Sequence, residues 1–479
     1  MEPDTDPSAR RPTPDELVQG VFANRTLNLR SVAAIGYDMD YTLIHYRTDE
    51  WESVAFENAV GVLAARGWPV EGLRLDPDEF IQGLVIDLDT GNLVKPTRFG
   101  YVIQAHHGTR ALSFEELRDT YAGHFVDLQE PRWKFLNTLF SLSEASLYAQ
   151  LVDRLDHGRL PRVLGYDELY AHVSDALDES HMAGTLKARI VADPARYVVA
   201  DQDIAGTLVD QRVAGKQLLL ITNSEWAYTQ AMMSWCFDRQ APKGSWRDLF
   251  DLVVVAAGKP RFFSGDEPFF EVVDEQEGLL RPHWGPLEQG RVYHGGSARA
   301  VETSLDLAGD QILYVGDHLF GDVHVSKDML RWRTALILRE LEADLVDAAR
   351  FAPDEDRLRA LMGAKAAIED ELAGLRMDRL RARDRGDSGR AKQLQRDISR
   401  LSARLRRLDD RIGPLARAAA ELGNPTWGPL MRAGSDKSLF ARQVERYADV
   451  YTSRVSNLGA RTPFAYLRAA RTSLPHDAT

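Results

Sequence analysis

Asp38 and Asp40 stand two positions apart immediately after the apolar run VAAIGY. Three further apolar runs end in polar clusters: QLLLI in Thr222 and Asn223, LVVVAAG in Lys259, and ILYVG in Asp317 and Asp322. Two acid pairs, a hydroxyl and a cation are the parts of a carboxylate-based phosphoryl transfer. One carboxylate must be ionised to attack phosphorus, and another must hold a proton for the leaving alkoxide. Asp38 is assigned as the nucleophile and Asp40 as the acid that later acts as base. A dianionic phosphate repels such a nucleophile unless positive charge intervenes. A hard divalent cation supplies it, and Mg²⁺ favours one or two carboxylates together with water and substrate phosphate. Asp38 and Asp317 are the side-chain ligands expected, with the backbone carbonyl of Asp40 and an outer or water-mediated contact from Asp322. Lys259 adds a fixed cation, and Thr222 with the Asn223 backbone can hold phosphate oxygens. Alone, each cluster is commonplace: a D-x-D is often a helix cap or turn, and a lysine before proline is often a solvated loop charge. The ordered set of four is what points to phosphate. No G-x-x-x-x-G-K-[ST] segment occurs, which disfavours a nucleotide-triphosphate motor.

Short β-rich apolar runs of this kind are buried parallel strands, and open α/β sheets bind ligands beyond the carboxyl ends of their strands. The expected fold is therefore α/β with a parallel core sheet. Residues 1–20 are polar and proline-rich and read as a disordered tail, with 21–100 as the first part of the core. Residues 101–195 are expected to be an insertion covering the site; helical periodicity dominates from about 50 to 195, broken by a hairpin or turn at DLDTGNLVKPTRFG. The core resumes over 196–345, with a helix starting near Ser224, capped by Asn223 or Ser224, and loops with a small hairpin over 261–300. Residues 346–479 are read as a helical region. In it Ile368, Leu372 and Leu375, then Leu394, Ile398, Leu401, Leu405, Leu408, Ile412 and Leu415, form a heptad seam on two helices joined at RGDSG.

The 479 residues exceed one typical core, so two or three lobes are expected. With 59 basic and 72 acidic side chains the net charge is −13, which argues against general nucleic-acid binding. An anionic substrate must then be met by local cations. No apolar run reaches the length of a membrane span, and the N-terminus has no apolar signal core. The single cysteine, Cys236, excludes an internal disulfide and suits a reducing compartment as a buried, inert thiol. A cytoplasmic protein is expected.

DMDYTL, ITNS, KPRFF and YVGDHLFGD together resemble the haloacid-dehalogenase-like superfamily of aspartate-dependent phosphatases. Within it the chain is similar to the cytosolic purine 5′-nucleotidase family, through FLNTLFSLSEASLYAQLVD, SDALDESHMAGTLK, GPLEQGRVYHGGS, WRTALILREL and SLFARQVERYADVYTSRVSNL. The resemblance runs from about residue 30 to the PHDAT tail. It implies a Rossmann-like core, a mostly helical cap between the first and second clusters, and catalytic and Mg²⁺ roles for Asp38, Asp40, Thr222, Lys259, Asp317 and Asp322. It also implies that Lys187 reaches the phosphate and that Phe140, Asp178 and His181 line the purine site. An aromatic face can stack a base, and an acid with an imidazole can read its edge. Members of this family prefer IMP and GMP, also transfer phosphate to nucleosides, and suggest a homo-oligomer, a dimer or a tetramer built from dimers. Ser141, Ser174 and Met182 depart from the family's asparagine, arginine and tyrosine. They put the purine preference in question and leave the catalytic set intact. Two other readings stay open: a phosphatase of the same mechanism for another nucleotide or small phosphomonoester, and a catalytically silent interaction protein using the helical hairpin.

Overall fold

The computed structural model describes residues 12–138, 141–162, 165–182, 184–241 and 244–470. The runs that precede the four clusters are neighbouring strands of one ten-stranded sheet. Ala34–Tyr37 lies between Gln217–Ile221 and Ile312–Gly316, parallel to both. The parallel order continues outward through Leu252–Val255 to Val292–Gly295 on one side. On the other it continues through Arg333–Ile337 to Val450–Thr452. Antiparallel strands form both edges: Val21–Ala23 beside Val450–Thr452, and the hairpin Phe269–Asp274 with Leu279–Pro282 beyond Val292–Gly295. The chain thus builds outward on one side of Ala34–Tyr37 and crosses to the other only with Ile312–Gly316. That reversal is a topological switch point, the usual ligand crevice of an open α/β sheet. Ala34–Tyr37 and Ile312–Gly316 are buried throughout, which is why they read as unbroken apolar runs.

Two strand glycines make room for the site. A Cβ on Gly36 would lie 2.9 Å from the ring of Tyr314, its partner in register. A Cβ on Gly316 would lie 2.5 Å from the Asp322 carboxylate. Both glycines permit a close approach that any side chain would block.

The chain leaves this sheet at His45–Tyr46 and returns through Val198–Val199, and these two strands pair, Tyr46 opposite Val198. Between them lie the helices Thr48–Ala65, Leu142–Asp156, Tyr166–Met182 and Thr185–Ala192. The insertion is less purely helical than the sequence suggests, because it also contains a five-stranded antiparallel sheet. The hairpin expected at DLDTGNLVKP pairs Val85–Asp87 with Asn92–Pro96, and Val102–His107 and Trp133–Phe135 flank it. These strands are short and carry Lys95, His106 and His107 among their apolar residues, so no clean period of two emerges. The sheet runs across residue 100, where the sequence reading divides core from insertion.

Residues 343–429, with the described residues up to Leu17, form a separate compact unit. Its second long helix, Ser388–Ala420, is capped by the Asp387 carboxylate, which accepts from the Arg390 N–H at 2.9 Å. The heptad residues Ile368, Leu372, Ile398, Leu401, Leu408 and Ile412 are buried in one cluster, so the seam is filled by the hairpin's own side chains. The helical region ends earlier than expected. Residues from 430 onward belong to the α/β unit and supply Val450–Thr452 to its sheet, a strand too short to show a period. Of the tail expected at 1–20, residues 1–11 lie outside the described residues, Pro14–Val18 is helical and Val21–Ala23 follows as a strand.

Candidate active site

Immediately after Tyr37 the chain turns back on itself. The N–H groups of Leu43 and Ile44 both donate to the Met39 carbonyl at 2.9 Å, and Tyr41 has φ 55°. The turn brings Asp38 and Asp40 to the wall of one cavity of about 810 Å³, a volume typical of small-molecule sites. Thr222, Asn223, Lys259, Asp317 and Asp322 line the same cavity from the neighbouring strand ends.

At its floor, the Lys259 ammonium lies 2.8 Å from Asp38 Oδ1 and 2.8 Å from Asp322 Oδ1. It also donates to Tyr314 Oη at 2.9 Å, and that hydroxyl donates to the Ile221 carbonyl at 3.0 Å. Gly36 therefore acts on the site indirectly, by letting Tyr314 lie across the sheet and fix the lysine. The side chain of Asn223 braces Lys259, donating to its carbonyl at 3.0 Å and accepting from its N–H at 2.7 Å. Thr222 Oγ1 accepts from the Ser224 N–H at 3.0 Å. The helix after this loop begins near Ser224 as expected, at Trp226, but its N-cap is Glu225, which makes no side-chain capping hydrogen bond. Asn223 and Ser224, the expected caps, are both committed elsewhere.

Ser224 Oγ donates to Asp40 Oδ2 at 2.6 Å and accepts from Lys187 Nζ at 3.1 Å. Asp40 Oδ1 accepts from Tyr46 Oη at 2.5 Å. Asp40 is thus held by neutral hydroxyls, apart from the lysine that grips Asp38.

Oxygens of Asp38, Asp317 and Asp322 lie within 4.8 Å of one another. Burial pushes Asp38 up to about 7, with Lys259 pulling it down and Asp322 pushing it up. Burial, then Asp38 and Asp322, hold Asp317 well above the usual carboxylate range. Burial works against the charge of Lys259, but Asp322 and Asp38 outweigh it and hold the ammonium well above its ordinary value. Three carboxylates crowd one ammonium in an all-oxygen donor set. That chemistry fits a hard divalent cation.

The other end of the cavity comes from the insertion. Trp51, Thr138, Ser141, Glu144, Ser174 and Asp178 line it. Glu144 accepts from Tyr170 Oη at 2.7 Å, and burial raises its carboxyl above the ordinary range. Phe140 and the side chains of His181 and Met182 lie outside the described residues.

A family model described as the 5′ nucleotidase family matches residues 21–479. The chain belongs to the 5′ nucleotidase family. It is 29% identical over 477 residues to human 5′-nucleotidase domain-containing protein 2, covering 96% of this chain and 85% of that protein. A 5′-nucleotidase domain-containing protein of Dictyostelium discoideum is 28% identical over 475 residues, 96% of this chain and 75% of its own length. The rat 5′-nucleotidase domain-containing protein 2 is 29% identical over 480 residues, 96% of this chain and 80% of that protein. By this membership the chain is a hydrolase of nucleotide phosphomonoesters.

Several residues of this 5′ nucleotidase site are silent in the sequence. Ser224 adjoins Thr222 and Asn223 and could have been drawn into the cluster. Tyr46, Tyr228, Tyr314, Trp51 and Glu144 sit in apolar or helical stretches, where nothing local separates them from core residues. Cys236 is half-buried rather than buried, and burial pushes its thiol up to about 12.

Proposed function

We propose that this chain is a Mg²⁺-dependent 5′-nucleotidase of the haloacid-dehalogenase type. Its substrates are purine nucleoside 5′-monophosphates such as IMP and GMP, and the products are nucleoside and phosphate. The observation that carries the reading is the pairing of Asp38 with Lys259 at 2.8 Å while Asp40, two residues on, is held separately by hydroxyls. One carboxylate is thereby poised as nucleophile and the other as proton carrier. Asp38 attacks phosphorus as the ester P–O bond breaks, and Asp40 gives its proton to the departing 5′-oxygen. Water then attacks the aspartyl phosphate, Asp40 takes up the water's proton, and the bond from Asp38 to phosphorus breaks to release phosphate. A nucleoside hydroxyl replacing that water gives phosphotransfer instead. Lys259, Lys187, Thr222 and the Asn223 backbone orient and neutralise the phosphate oxygens. Asp38, Asp317, Asp322 and the Asp40 carbonyl would hold Mg²⁺, which supplies further neutralisation of phosphate charge when bound.

Asp178, with Phe140 and His181, is assigned to the base. A phosphatase for another nucleotide or small phosphomonoester keeps the same mechanism and is favoured by Ser141 and Ser174, which leave the base end of the cavity with small hydroxyls. The test is Mg²⁺-dependent phosphate release from IMP, GMP, AMP, pyrimidine 5′-monophosphates and sugar phosphates, with Asp38→Asn as the blank. Preference for IMP and GMP supports the purine reading. A flat profile removes it and leaves the chemistry. Phosphate release by Asp38→Asn removes the nucleophile assignment.

A cytoplasmic location belongs to the same reading; among the described residues no helix is long and apolar enough to cross a membrane. So does a homo-oligomer, dimer or tetramer, which the family resemblance supports and the internally filled heptad seam does not require. Sedimentation at single-chain mass would remove it.

A further inference from the structure

The two oxygens of Asp40 are held in different ways. Tyr46, which donates to Oδ1 at 2.5 Å, is fully buried on the strand where the insertion leaves the core. Its ring packs against Tyr41 at 5.3 Å and Trp51 at 4.5 Å between centroids, and its hydroxyl meets Tyr228 Oη at 3.0 Å. Tyr46, Tyr41 and Tyr228 do not line the cavity; of these packed side chains Trp51 alone does. Oδ2 instead faces Ser224 Oγ at 2.6 Å, and Ser224 with Lys187 lines the cavity. Phosphate oxygens entering there compete for the Lys187 ammonium and the Ser224 hydroxyl, and so free Oδ2.

We propose that Tyr46 is the positioning residue of the proton donor, pinning Oδ1 so that Oδ2 alone exchanges a proton with the leaving group. This rests on the phosphatase reading above and goes beyond it by naming the oxygen and what fixes it. As the P–O ester bond breaks and the bond from Asp38 to phosphorus forms, the Oδ2 proton passes to the ester oxygen. The phenol keeps its own proton, and its hydrogen bond to Oδ1 strengthens as Asp40 becomes ionised. Tyr228 keeps the Tyr46 hydroxyl turned toward Asp40.

A positioning role for the acid has a signature that a merely structural tyrosine lacks. An alkoxide leaving group needs the proton, whereas p-nitrophenolate departs without it. The ratio kcat/KM reports steps up to aspartyl-phosphate formation, so it isolates the transfer. In Tyr46→Phe, kcat/KM for the best nucleoside monophosphate is expected to fall about 10-fold, within the range of general acid catalysis. The value for p-nitrophenyl phosphate should stay within about 2-fold of wild type. Tyr228→Phe should show the same split at about 3-fold, and it provides the readout if Tyr46→Phe does not fold. Thermal melting with and without inorganic phosphate checks that fold and phosphate site are intact. Equal losses on both substrates, or no loss on either, overturn the proposal. Wild-type turnover of p-nitrophenyl phosphate but of no nucleotide overturns the nucleotide reading instead, and the split is then read on the best alkyl phosphate.

Discussion

The two ends of the cavity are built in opposite ways. The phosphate end is assembled from the tips of adjacent parallel strands, and its charged groups hold one another: Lys259 bridges Asp38 and Asp322, Asn223 braces the lysine backbone, and Tyr314 fixes its ammonium. The other end is assembled from helices of the insertion. There Ser141 and Ser174 are small, Glu144 is held by one tyrosine, and Asp178 is exposed. A bond-making centre demands charges fixed within fractions of an ångström, and a buried, mutually saturated network provides that. Recognition of a leaving group tolerates looser contacts. On the proposed reading, chemistry is anchored in the sheet and selectivity in the insertion.

That contrast predicts how substitutions at each end behave. Lys259→Met leaves Asp38 and Asp322 without their buried counter-charge, so kcat/KM should fall about 10²–10³-fold for every phosphomonoester alike. Steady-state kinetics on a nucleotide and on p-nitrophenyl phosphate check it; a loss confined to nucleotides would break the division. Asp178→Asn should change the ratio of kcat/KM values between two bases by about 10-fold, the scale of one polar contact, and leave p-nitrophenyl phosphate unaffected. A uniform loss would place Asp178 in the chemistry instead.

The smallest effect is on stability. Glu52, on the helix Thr48–Ala65, is fully buried and accepts from the Ser143 N–H at 2.7 Å, near the start of the helix that carries Glu144. Burial pushes its carboxyl up to about 7, against the pull of that N–H. A folded-state value above the unfolded one means the folded protein binds the extra proton. The Glu52 contribution is therefore most favourable below about 4.5 and is lost as pH rises to about 7. Glu52→Gln should remove up to about 3 kcal/mol of that slope, measured as unfolding free energy between those limits. An unchanged slope would show that Glu52 is not the titrating anchor of this end.

The same contrast explains what could be read in advance. Asp38, Asp40, Lys259, Asp317 and Asp322 follow buried strands, and a strand's apolar run announces where its polar end lies. The Leu394-to-Leu415 heptad was legible for the same reason, a period sustained over many residues. The five-stranded sheet of the insertion was not, because strands such as Trp133–Phe135 are too short to establish a period. Asn223 illustrates a different limit. Its place beside Thr222 is local information, but its bonds to Lys259 lie 36 residues away in sequence.

By itself, then, the sequence determined the parts of the site: four strand ends, their order, and the residue types gathered there. Residue type and strand periodicity are local properties, and both survive without knowledge of the fold. Only the tertiary structure decided that Gly36 admits Tyr314 to fix Lys259, and that Tyr46 reaches one oxygen of Asp40 while Ser224 reaches the other. Those assignments depend on which side chains meet across the switch point. That follows from packing between segments distant in sequence, for which a linear pattern carries no signal.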